Sequence, residues 1–220
     1  MAGTIFVKTS SSLVYILTTE QCSDTKYILQ NGYTSAFYLH LSCQVANEYR
    51  LPDNITFAEG ALLEPLSVAM SGIKIAQLSL GRGAVVCGAG PIGLITLAAA
   101  RASGAHPIVV TDLDAGRLAF AKSFVPSCIP YQVRRDLDAQ GNANAIRSLF
   151  GSREYDAPET VLECTGVESS VCTAAYTARR GGAVVVIGVG KETMNNLPFM
   201  HLSLAEVFVM PLSFRSVRSC

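Results

Sequence analysis

The chain has 220 residues, half of them hydrophobic and 15% charged, with a mean hydropathy of +0.34. That is enough apolar material for a sizeable core and too much for a disordered chain. Lys plus Arg and Asp plus Glu both number 17, so the formal charge is zero. No basic excess exists to neutralise a nucleic-acid backbone or an anionic membrane surface, and neither partner is expected.

Near the N-terminus, the apolar patch from Leu13 to Leu17 has only Lys8 before it and no small-residue cleavage site, so no secretory signal is expected. Residues 1–47 are rich in Ser, Thr, Tyr and Gln and hold no sustained period; short strands are predicted at 4–8, 13–18 and 35–41. The patterning changes at Leu51. Pro52-Asp53-Asn54 reads as a turn, and Thr56 with Glu59 forms a capping box that opens a short helix. Asn54-Ile55-Thr56 is formally a glycosylation sequon, expected to be unused in a chain without a signal peptide. Glu64-Pro65 then leads a second helix over 66–77.

Residues 83–100 carry no charge and approach the length of a membrane span. Gly83, Gly88, Gly90, Pro91 and Gly93 interrupt the first half, however, and Pro91 breaks a continuous helix. A strand, a tight turn and a helix start are predicted instead. Strand and helix signals alternate from here: 84–87 and 92–102, 107–111 and 115–123, a weaker strand at 129–133 with a helix at 143–150, 160–164 and 168–178, then the apolar strand 183–187. Continuous Val/Ile strands separated by helices predict an α/β fold, a doubly wound parallel sheet covered on both faces. Seven cysteines, at 22, 43, 87, 128, 164, 172 and 220, form no C-x-x-C pair. They read as free thiols in a reducing compartment, and a cytoplasmic protein is expected.

The chemistry is concentrated in Gly88-Ala89-Gly90-Pro91-Ile92-Gly93, between a strand and a helix. Gly88 permits a tight turn, Gly90 lets the backbone approach a pyrophosphate, and Gly93 lets strand and helix pack closely. Backbone N–H groups at the helix start then face the phosphates. The next strand ends in Asp112, placed to accept hydrogen bonds from an adenosine ribose. Its charge, with Asp114 close by, disfavours a 2′-phosphate, so NAD is expected rather than NADP. A ligand-free glycine turn, or an adenosyl site of a methyl-transferring enzyme, would be the alternatives. Arg117 either lies against the adenine or pairs with Asp114. Two further strand ends, Cys164-Thr165-Gly166 and Ile187-Gly188-Val189-Gly190, point to the same crevice. They read either as backbone contacts for the nicotinamide half or as ordinary strand-ending glycines.

Taken in order, Leu51-Pro52-Asp53-Asn54, the segment from Glu59 through Glu64-Pro65 to Val68, the glycine turn, Glu163-Cys164-Thr165-Gly166 and Ile187-Gly188-Val189-Gly190 resemble the zinc-dependent polyol dehydrogenases of the medium-chain dehydrogenase/reductase family. The likeness covers about residues 49–206 and is strongest to the sorbitol, xylitol and L-arabinitol branch found in fungi. It implies a Rossmann NAD-binding domain over 51–214, preceded by a short N-terminal remnant (1–50) and followed by a tail (215–220). It also implies oxidation of a sugar alcohol to a ketose with hydride transfer to NAD, and association of copies through the nucleotide-binding domain. By the same resemblance Pro91 and Ile92 belong to the pyrophosphate turn, Asp112 holds the ribose and Arg117 flanks the adenine. Thr165, Ile187, Gly188 and Val189 line the nicotinamide. Glu64 is the catalytic carboxylate beside the zinc; the rival role for it is a helix-start acid facing the dipole.

Family members hold zinc through a Cys and an adjacent His-Glu pair in a preceding domain. This chain has no His-Glu pair; its histidines are His40, His106 and His201. A substitute site from His40 and Cys43 with Glu64 is disfavoured, since an isolated His-x-x-Cys more often pairs a surface His with a buried thiol. The chain is therefore expected not to bind zinc and to be a shortened form of a longer enzyme. A non-catalytic NAD(H)-binding module and an inactive fragment are the rival functions.

Overall fold

The computed structural model describes Pro52 and residues 54–212. The strands expected within 1–47, the candidate ligands His40 and Cys43, and the tail lie outside the described residues.

Two units are described separately, divided between Pro65 and Leu66. In the first, Glu59 accepts hydrogen bonds from the Thr56 backbone N–H (2.8 Å) and hydroxyl (2.7 Å), and its own N–H donates back to the Thr56 hydroxyl (3.3 Å). This is the expected capping box, and it opens α1 (Phe57–Gly60). The helix α2 (Leu63–Ile75) starts three residues before the expected point and holds Glu64 and Pro65 in its first turn. Proline is tolerated there because a first-turn N–H has no intrahelical partner.

The second unit is a six-stranded sheet of order β3-β2-β1-β4-β5-β6, with every neighbouring pair parallel. Its elements in chain order are β1 (Ala84–Cys87), α3 (Pro91–Ala102), β2 (Ile108–Asp112), α4 (Ala115–Phe124), β3 (Ile129–Gln132), α5 (Ala139–Ser148), β4 (Thr160–Glu163), α6 (Glu168–Thr177), β5 (Ala183–Val186), α7 (Phe199–Leu204) and β6 (Phe208–Pro211). β1 lies mid-sheet, with Val85 opposite Val109 on one side and Val161 on the other. Its alternate residues serve two cores. Ala84 and Val86 pack with Leu97, Ala100, Ile108 and Ile73; Val85 and Cys87 pack with Ile146, Ala174 and Val207. Such strands need apolar side chains on both faces, which is why they read as continuous Val/Ile runs. Burying each large aliphatic side chain contributes about 2 kcal/mol.

The expected order of elements is present, with boundary shifts that have local causes. α5 begins at Ala139 rather than 143 because Asp138 accepts from the Gly141 N–H at 2.7 Å and caps the helix; Gly141, Asn142 and Asn144 hide the helical pattern in the sequence. α7 was not signalled by any periodicity, being only six residues long. Among the described residues no helix is long and apolar enough to cross a membrane.

Candidate functional site

The sheet's topology changes direction at β1. The chain leaves β1 toward β2 on one side and returns to β4 on the other, opening a crevice at the carboxyl ends of β1 and β4. The glycine turn begins there. Gly88 adopts φ +99, a conformation side chains rarely take, and a Cβ on it would stand 2.8 Å from the Thr165 methyl. A Cβ on Gly93 would run into the Gly88 carbonyl oxygen, so this glycine permits the close packing of α3 on the turn. Gly90 is different. It has ordinary extended backbone (φ −78, ψ −175), and among the described residues no atom outside its chain neighbours lies within 4 Å of a built Cβ. No described residue requires a glycine at 90; the space beside it is open.

Gly90 caps α3 without a side chain and Pro91 is the first helical residue, with no N–H to donate. The N–H groups of Ile92 and Gly93 follow in the first turn, where a helix has no internal acceptors for them. Together with the helix dipole they suit an anion. The turn therefore fits a pyrophosphate: open space at Gly90, free-facing first-turn amides, and no acidic residue in that turn.

Asp112 closes the other side. Its Oδ2 accepts from the Ala89 N–H (2.8 Å) and its Oδ1 from the Asp114 N–H (2.9 Å), so the carboxylate ties the end of β2 to the glycine turn. The side chain is 11% exposed and remains accessible at this edge. Arg117 does not pair with Asp114 through its side chain. Asp114 Oδ1 instead accepts the backbone N–H of Arg117 as the cap of α4 (2.9 Å), and the guanidinium stands 4.0 Å from Asp112 Oδ2, largely in solvent.

The loops after β4 and β5 press backbone to backbone. Gly166 has φ +70, and a Cβ on it would lie 2.6 Å from the Gly190 nitrogen. A Cβ on Gly188 would collide with the Thr165–Gly166 backbone, and one on Gly190 with the Gly166 carbonyl. These glycines are needed for loop-on-loop packing, which neither sequence alternative anticipated. The Ile187 side chain is buried in the core under α2, where a Cβ on Gly72 would sit 2.6 Å from its Cδ1, so only its backbone faces the loop cluster. Val189 is 74% exposed.

Three residues here were given no role of their own from the sequence, Glu163 and Cys164 entering only as parts of the Glu163-to-Gly166 segment. Glu163, fully buried at the end of β4, accepts from the Thr165 N–H (3.0 Å), the Thr165 hydroxyl, the Ser170 hydroxyl (2.8 Å) and the Gly166 N–H (2.9 Å). A carboxylate closing an otherwise apolar strand was the available signal, since a buried charge must find donors. Glu168 takes the N–H groups of Asn195 and Asn196 and the Asn196 amide; the Asn196 backbone bond, foremost, holds its carboxyl below the usual range. Burial pushes the Cys164 thiol up to about 12, against a weak hydrogen bond with Thr96.

Glu64, described with the first unit, is half-buried in the first turn of α2, and burial raises its carboxyl above the usual range. Among the described residues no three His, Cys, Asp or Glu side chains come together to hold a metal ion. The residues described do not fit a zinc centre.

Residues 91–219 match the family described as zinc-binding dehydrogenase. The chain is 52% identical over 159 residues to the L-arabinitol 4-dehydrogenase of Aspergillus oryzae, a match covering 70% of this chain and 41% of that protein. It is 47% identical over 159 residues to the sorbitol dehydrogenase of Mus musculus, covering 72% and 43% respectively. The chain thus spans about two fifths of the length of the curated relatives it matches. Among solved structures, galactitol-1-phosphate dehydrogenase from Escherichia coli shares the fold with a TM-score of 0.66 at 23% identity, covering 79% of this chain and 51% of that one. 2R,3R-butanediol dehydrogenase from Bacillus subtilis aligns with a TM-score of 0.64 at 25% identity, covering 78% and 48%. The family match begins at Pro91, on the first turn of α3, and runs through β6; the chain belongs to the zinc-binding dehydrogenase family.

Proposed function

We propose that this chain binds NAD(H) and forms the nucleotide-binding part of a polyol dehydrogenase, which oxidises a secondary alcohol of a sugar alcohol to a ketose. The observation that carries the proposal is the glycine turn. Its two structural glycines are packed against protein, while Gly90 faces open space beside first-turn amides, and Asp112 locks the turn to β2. The identity to polyol dehydrogenases supports the substrate class.

NAD, when bound, accepts the hydride that leaves the alcohol carbon. The chain's own residues bind and orient. Gly88, Gly90, Pro91, Ile92 and Gly93 shape the pyrophosphate turn, and the amides of Ile92 and Gly93 donate to it. Asp112 accepts from the ribose hydroxyls and repels a 2′-phosphate. Arg117, exposed beside Asp112, reaches the adenine face. Thr165, Gly188 and Val189, with the backbone of Ile187, line the nicotinamide side. Glu64 is assigned the catalytic carboxylate near the alcohol, and burial raises its carboxyl above the usual carboxylate range.

In this reading the dinucleotide-binding domain runs from 51 to 214 and works in the cytoplasm. Copies associate through it, which the apolar surface of Phe199, Met200, Leu204 and Phe208 on α7 and β6 supports.

The test is a titration of the purified chain with NADH, followed by cofactor fluorescence, with NADPH as control. Saturable binding at least about tenfold tighter for NADH is expected, a margin of roughly 1.4 kcal/mol. Absence of binding by a folded chain overturns the proposal. Binding without turnover on any polyol reduces it to a dinucleotide-binding module.

A further inference from the structure

We propose that Glu163 is a positioning residue for the nicotinamide half of the dinucleotide, acting through the two loops that it holds together. The inference rests on the NAD(H) reading above and adds to it the residue that shapes one end of the site.

Glu163 sits at the carboxyl end of β4, beside β1, with no exposed surface. Its side chain accepts four hydrogen bonds, all from neutral donors within seven residues: Thr165 N–H and hydroxyl, Gly166 N–H and the Ser170 hydroxyl. Ser170 lies in the first turn of α6, so the helix dipole also favours the carboxylate. The main-chain carbonyl of the same residue accepts from Ile187 N–H (2.7 Å) and Gly188 N–H (2.9 Å). One residue thus grips the loop after β4 with its side chain and the loop after β5 with its backbone.

The conformation so imposed is demanding. Gly166 is driven to φ +70, and its backbone is brought so close to Val189 and Gly190 that no side chain fits between them. The Thr165 methyl is seated against Gly88, the first residue of the glycine turn. Glu163 is therefore the common support of three backbone segments at the mouth of the crevice. The adenosine side, by contrast, is built on Asp112 and the Ala89 N–H, which Glu163 does not touch. A defect at Glu163 is expected to be felt by the uncharged amide ring, and not by the adenosine end.

The exchange Glu163→Gln keeps the shape but turns one acceptor into a donor, so at least one of the four donors faces an N–H. The experiment compares wild-type and Glu163→Gln chains for binding of NADH and of ADP-ribose, which lacks the nicotinamide. The expected result is an NADH dissociation constant raised about tenfold, as for loss of one charge-assisted hydrogen bond, with a shifted emission maximum of bound NADH. The ADP-ribose constant is expected to change less than about twofold, within the few tenths of a kcal/mol by which distant sites couple. Should the variant melt without ligand, Ser170→Ala removes a single donor and is read in the same way, with a smaller NADH-specific loss. Equal weakening of both ligands, or of neither, overturns the inference and leaves the NAD(H) reading standing. A folded wild-type chain that binds neither ligand overturns both.

Discussion

The Asp112 carboxylate accepts the Ala89 N–H at 2.8 Å, so the acid that ends β2 also holds the glycine turn that follows β1. The acid proposed to bind the ribose is thus also the acid that supports the turn, because adjacent parallel strands β1 and β2 end side by side.

Asp112→Ala leaves the Ala89 and Asp114 N–H groups without their acceptor. We expect NADH binding to weaken at least about tenfold and unfolding stability to fall by about 2 kcal/mol. Fluorescence titration and urea denaturation read the two effects. The NADPH affinity should fall less, or rise, because the repelling charge is gone; an unchanged preference for NADH would contradict the role of Asp112.

Gly90 and Gly93 should respond in opposite ways. Gly90→Val meets open space on permissive backbone, so the melting temperature is expected to stay within a few degrees of wild type, as for a surface substitution, while NADH binding is lost. Gly93→Ala forces its methyl into the Gly88 carbonyl and should cost about 2 kcal/mol or more. Thermal melts alongside titrations separate them, and a destabilised Gly90→Val would show that the space is not free.

Glu64 makes a pH-dependent prediction. Burial raises its carboxyl above the unfolded value, so its contribution is fully present below the ordinary carboxylate range. That contribution is lost as pH rises through the raised folded value. Glu64→Gln should therefore melt higher than wild type near neutral pH and alike at acidic pH. A difference that grows on acidification has the wrong sign for a buried carboxyl.

The thiols of Cys87 and Cys164 should resist alkylation. Burial pushes both up, Cys164 to about 12, and the thiolate is the nucleophile. Peptide mapping after iodoacetamide treatment at mildly alkaline pH should find both unmodified in native protein and both modified in urea. Rapid native labelling would place them in contact with solvent.

Much of the fold is written locally. The apolar runs at β1, β2, β4 and β5, the Thr56–Glu59 box and the Gly88–Gly93 turn carry their structure in residue type and spacing, since burial on both faces favours apolar side chains along most of each strand. α5 was displaced and α7 missed where Asn, Gly and short length erase the period.

The sequence by itself determined the doubly wound architecture, the glycine turn and the acid that follows it, because each depends on residues within one strand–turn–helix unit. Only the tertiary structure decided what those groups touch. It placed Asp112 on the Ala89 amide, directed Ile187 inward beneath Gly72, and made Gly166, Gly188 and Gly190 a single packed cluster held by Glu163. These relations join segments distant in the chain but adjacent in the sheet. Strand order and register set them, and neither is encoded in any one stretch of residues.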